Sequence, residues 1–101
     1  MRYIMQNTVT VDYTNIQYYS QLHTILRDAM GWPDWYGCNP DALRDIFWCE
    51  GAPEQIIFRG TRSIYRHEGW GETWEEMLAV LDAVAIEWRV HGWAFSYTII
   101  D

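Results

Sequence analysis

The sequence predicts a small α/β domain: a three-stranded parallel β-sheet with helices packed on it. Three observations lead there. Short β-branched and aromatic runs fall near the start, in the middle and at the end of the chain. Amphipathic helical stretches separate them. Glycines and an Asn-Pro step punctuate the helix ends. Strands separated by helices pair in parallel through right-handed crossovers. With 101 residues, half of them apolar, the chain has material for one modest core and is expected to form one domain over residues 1–101. Dinucleotide and phosphate-loop fingerprints are absent.

The elements follow in order. Tyr3-Ile4-Met5 reads as a short strand, and "TVTVDY" (8–13) alternates with period two, extending that strand or pairing with it. A helix is expected from about Tyr18 to Met30, with Tyr19, Leu22, His23, Leu26 and Met30 on one stripe. His23 is therefore expected to be packed rather than catalytic. Gly31 sits where this helix should stop, and Trp32-Pro33 keeps the chain from continuing it. Asn39 is a good N-cap and Pro40 suits a first helical position, so a second helix runs to about Trp48. "QIIFR" (55–59) reads as a strand buried on both faces. "RSIYRHEGWGE" (62–72) fits one helical turn followed by a loop around Gly69-Trp70-Gly71. Thr73 and Glu76 make a capping-box pattern for a last helix. Its apolar stripe is Trp74, Met77, Leu78, Leu81, Val84, Ala85 and Trp88, and Gly92 ends it. "WAFSYTII" (93–100) is the third strand.

Charge narrows the partner class. The formal net charge is −7, from 14 acids against 7 bases, and every base is an arginine. Such acidity repels phosphates, which argues against nucleic acid and anionic membrane as ligands. It suits a basic protein partner, although it also serves plain solubility. No apolar run approaches the ~18 residues of a membrane span, and "MRYIMQ" lacks a signal-peptide core. A cytoplasmic protein is expected, with Cys38 and Cys49 as free thiols. There is no CxxC and no Cys/His cluster, so neither a metal nor a cofactor is expected.

The second helix has two faces. At 100° per residue, Ala42, Leu43, Ile46 and Phe47 turn to the core, and Asp41, Arg44, Asp45 and Trp48 turn outward. Asp41 lies in the first turn, where the helix dipole favours an anion, and Arg44 can pair with it at i,i+3. Asp45 has weaker help and sits four residues from a like charge. Two readings fit. One is a solvated helix face, with Trp48 folded onto the sheet and Trp35 and Tyr36 in the core. The other is an interface, with Trp35, Tyr36 and Trp48 as anchors around the carboxylates.

"LHTILRDAMGWPDWYGCNPDALRDIF" (22–47) resembles the barstar family of intracellular ribonuclease inhibitors. The matching residues are Leu22-His23, Pro33, Trp35-Tyr36-Gly37, Asn39, Asp41-Ala42-Leu43 and Asp45, and "YTIID" at the end is also similar. The resemblance implies a barstar-like fold and a protein that plugs the active site of a basic ribonuclease. It implies that Asp45 stands in for an RNA phosphate, with Asp41 as the second acid, and that Trp35 covers the nuclease's catalytic histidine. Tyr36, Gly37, Asn39, Pro40, Arg44 and Trp48 fall in the contacting segment, and the acidic contact from the last helix falls on Ala83 or Glu87, depending on which end of that helix is aligned. Arg44 departs from the pattern, standing where the prototype has an aromatic. The cysteine positions also differ.

The expected function is that of a cytoplasmic immunity protein that inhibits a secreted or toxin-type basic ribonuclease. The alternative is a binding module of the same fold with a non-nuclease partner. An enzyme is not expected: the adjacent His67-Glu68 is the only local acid–base pair, and neighbouring residues on a regular element point different ways.

Overall fold

A computed structural model describes residues 8–34, 36, 37 and 39–101. The strand expected at Tyr3–Met5 lies outside them. The elements are β1 (Thr8–Asp12), α1 (Gln21–Met30), α2 (Pro40–Glu50), β2 (Gln55–Arg59), α3 (Arg62–Tyr65), α4 (Trp70–Val90) and β3 (Ser96–Ile100). The sheet order is β1-β2-β3, and both pairings are parallel. This is the expected α/β architecture.

Register sorts the sheet into two faces. Val9, Ile56 and Tyr97 align across it, as do Val11, Phe58 and Ile99. Val11, Ile56 and Phe58 are fully buried and join a core with Leu22, Leu26, Leu43, Ile46, Phe47, Met77, Leu81 and Val84 from the helices. Each such burial contributes roughly 1.5–3 kcal/mol relative to exposure. Tyr13, Phe58 and Trp74 form the aromatic centre, with Trp74 edge-on to the other two at ring-centroid distances of 5.4 and 5.0 Å. The opposite face carries Thr10, Arg59, Thr98 and Ile100, all exposed, with Ile57 half-buried. β2 is therefore not buried on both faces. Its helices cover one side only, and the polar residues of β1 and β3 on the other side tolerate water.

The helix boundaries have local causes. Gly31 adopts φ +71°, and the Trp32 N–H reaches back to the Arg27 carbonyl at 3.0 Å, closing α1 as expected. α4 ends the same way: Gly92 turns left-handed, and the Gly92 and Trp93 amides donate to the Arg89 and Trp88 carbonyls. The expected start of α4 at a Thr73–Glu76 capping box is incorrect. The helix begins four residues earlier, at Trp70 with Gly69 as N-cap. His67 stacks on Trp70 at 3.7 Å, and Tyr65 lies across Gly71, where a Cβ would come within 2.7 Å of its ring. The Thr73 hydroxyl bonds Tyr19 Oη at 2.6 Å instead of capping. The single turn expected near Arg62 is α3.

Two contacts tie loops to the sheet ends. Gly60, at φ +70°, passes so close to Thr14 that an added Cβ would lie 2.5 Å from its backbone nitrogen. The Asp101 carboxylate accepts from the Thr61 amide at 2.7 Å and from its hydroxyl, joining the end of β3 to the start of α3.

Candidate functional site

Asn39 sets the start of α2. Its Oδ1 accepts from the Ala42 amide at 2.9 Å, and its Nδ2 donates to the Gly37 carbonyl at 3.2 Å. The amide thus caps the helix and holds the preceding loop, two tasks that an aspartate could not combine. Gly37 lets the loop pass close to Ala42: a Cβ there would come within 3.1 Å of the Ala42 methyl. Pro40 occupies the first helical position. Leu43, Ile46 and Phe47 are buried and Ala42 is half-buried, so the inward face is the expected one.

The outward face is also as expected in outline: Asp41, Arg44, Asp45 and Trp48 are all exposed. Its internal pairing differs. Arg44 does not pair with Asp41; its guanidinium makes an ion pair with Glu87 of α4. Arg44 lies on the flank of α2 nearest α4, where a longer-range partner is better placed than the carboxylate one turn back. Among the described residues, the Asp41 and Asp45 side chains have no ion-pair or hydrogen-bond partner. Two carboxylates four apart on a helix repel each other mildly. This arrangement is not required to build α2.

Aromatics border these acids. Trp48 is 42% exposed and packs on Trp88, His91 and Trp93 rather than on the sheet, at centroid distances of 6.1, 5.7 and 5.8 Å. Tyr36 follows the first of the two readings, the core one: it is 4% exposed, packs against Trp32, and its hydroxyl lies 2.6 Å from His23 Nδ1. The hydroxyl needs a buried partner, and α1 supplies it. Tyr36 therefore supports the loop from behind. Trp35 and Cys38 lie outside the described residues; Cys49 is a free, exposed thiol. Sequence reasoning missed His91 and Trp93. The signal was there: Trp88 and Trp93 flank Gly92 at the spacing by which a left-handed helix end brings two apolar side chains together.

His23 is the packed histidine expected from its stripe, and its burial holds its pKa below the usual 6.5. The unfolded chain therefore takes up this proton at higher pH than the folded one. The contribution of His23 to stability is complete above pH 6.5 and is lost as pH falls through the lowered folded value. Melting temperature is expected to drop on acidification below pH 6.5, and His23→Gln to flatten that drop. A pH series of thermal melts checks both. The Asp101 carboxylate, held below its usual 3.8 chiefly by the Thr61 hydroxyl, loses its contribution only in a separate, more acid window.

Among the described residues, no group of three or more His, Cys, Asp or Glu is placed to hold a metal ion. None of the helices described is long and apolar enough to cross a membrane. The site consists of two carboxylates on one helix face, unpaired among the described residues and bordered by indoles, on a small parallel α/β domain. The family model described as Barstar (barnase inhibitor) matches residues 6–100, nearly the whole chain, and the chain belongs to that family. Proteins of this family are ribonuclease inhibitors rather than enzymes. No curated protein matches the chain.

Proposed function

We propose that this protein is a cytoplasmic immunity protein, a single barstar-like domain that blocks the active site of a basic, secreted or toxin-type ribonuclease. The observation that carries the reading is the unpaired pair Asp41 and Asp45 on the outward face of α2. A ribonuclease holds RNA phosphates among cationic side chains. A carboxylate fixed on a helix enters such a cleft with little further loss of entropy. Asp45 takes the place of a phosphate, and Asp41 supports it one turn earlier. Trp48 borders the acids, Trp35 is assigned from the family resemblance to cover the nuclease's catalytic histidine, and Gly37, Asn39 and Pro40 set the loop that enters with them. The net charge of −7 speeds encounter with a basic enzyme and disfavours binding to RNA itself. Family membership supports the partner class.

The test is co-expression in bacterial cells with a panel of basic ribonucleases, barnase among them, scoring survival and RNA integrity. Protection against at least one is expected. Tight complexes that leave RNA cleavage untouched would favour the alternative, a non-nuclease partner.

Arg44 taken alone favours that alternative, because a bare cation opposes a basic cleft. Paired with Glu87, it presents little net charge to a partner. Neither Arg44 nor Glu87 is then a direct anchor; together they tie α2 to α4. Removing the cation with Arg44→Ala is expected to raise the association rate about two- to five-fold at low ionic strength. It should change stability by less than ~1 kcal/mol, as for other surface ion pairs. Stopped-flow association at two salt concentrations checks the first expectation, and urea melts check the second.

A further inference from the structure

We infer that Trp93, together with Trp48 and His91, forms a second contact region that receives an arginine side chain of the bound nuclease. The inference rests on the inhibitor reading above and extends the contact beyond the acids of α2. Trp48 and Trp93 are 42% and 49% exposed, a large apolar area to leave in water on so small a domain. Their rings are held in place. Trp93 stands edge-on to the buried Trp88 at 5.4 Å and stacks with His91 at 4.9 Å. The turn at Gly92 fixes its backbone to the Trp88 carbonyl. The rings are pre-ordered, so docking onto them costs little side-chain entropy.

Position and charge select the occupant. Trp48 lies one turn beyond Asp45 and two beyond Asp41 on the same face, so a protein seated on the acids reaches the indoles. A second copy of this chain would bring its own Asp41 and Asp45 against these, and like charges disfavour that contact. A guanidinium fits both features: its plane stacks on an indole while its edge donates to a carboxylate.

The experiment measures dissociation constants and rates for wild type, Trp93→Ala, Trp93→Phe, His91→Ala and Asp45→Ala. The probe is the purified basic ribonuclease that wild type inhibits most strongly in the panel. Trp93→Ala is expected to weaken binding by about 5- to 30-fold, mainly through faster dissociation, with Trp93→Phe losing less. Asp45→Ala should lose more. If Asp45→Ala is crippled while Trp93→Ala, folded by thermal melt, binds like wild type, the second contact is wrong and the inhibitor reading stands. If Trp93→Ala fails to fold, Trp93→Phe and His91→Ala decide: wild-type affinity in both overturns the contact. A wild-type dimer on size exclusion that Trp93→Ala abolishes gives the surface to a second copy and also overturns it. If wild type inhibits no nuclease in the panel, or Asp45→Ala inhibits as wild type does, the inhibitor reading fails and this inference falls with it.

Discussion

Replacing Asp45 with alanine is expected to weaken inhibition of a basic ribonuclease by about 30- to 4,000-fold. The range follows from the ~2–5 kcal/mol lost when one partner of a buried, hydrogen-bonded charge pair is truncated; the family's prototype complex is itself an example of that rule. Much of the loss arises on the nuclease, where cations that met a carboxylate are left buried without one. The free inhibitor should not suffer. Asp45 is exposed, has no partner among the described residues, and lies four residues from Asp41. Alanine relieves that repulsion and is the better helix former, so melting temperature should hold or rise slightly. Asp45→Asn, which keeps shape and removes charge, should lose nearly as much inhibition as Asp45→Ala. Inhibition constants for the two variants, with thermal melts alongside, check the assignment. Wild-type inhibition by both would remove Asp45 from the centre of the interface.

Gly60→Ala is the substitution expected to damage the fold most. Two costs combine. The backbone is left-handed at φ +70°, and the new Cβ would lie 2.3 Å from the Thr14 hydroxyl oxygen and 2.7 Å from its Cα. The left-handed conformation costs roughly 1–2 kcal/mol for a residue with a Cβ, and overpacking adds roughly 1–3 kcal/mol. The hydroxyl can turn away, but the backbone of Thr14 is anchored, since the Tyr13 amide beside it donates to the Arg59 carbonyl at 2.9 Å. The melting temperature should fall by about 10–30 °C for a domain of this size. Gly31→Ala is the control: its φ is similar, at +71°, but nothing lies within 4 Å of the added Cβ, so it should lose only the conformational part. Equal losses in the two variants would show that the Thr14 contact does not matter.

Much of this was legible from residue types because local chemistry and global fold agree. Asn39 and Pro40 can do little but start a helix, and the 100° wheel of α2 separates its two faces without ambiguity. Three features escaped, each for a tertiary reason. The start of α4 at Trp70 depends on rings from Tyr19, Tyr65 and His67 that pack there. A capping-box pattern at Thr73 is a local rule, and those contacts override it. Arg44 turns to Glu87, 43 residues away, where helical spacing pointed to Asp41. Residue type leaves Tyr36 open between core and interface, and the buried histidine that meets its hydroxyl decides it.

The outer edge of β3 has a consequence for handling and storage. Among the described residues β3 pairs only with β2, so the backbone groups on its free side are open to another chain. Ile99 and Ile100 are 40% and 51% exposed, in a segment rich in β-forming residues and without proline. That is the profile from which edge-to-edge aggregation starts. The Asp101–Thr61 clamp keeps the strand from peeling off but does not cover its side. A single charge placed on this edge should therefore raise the concentration the protein tolerates before it aggregates.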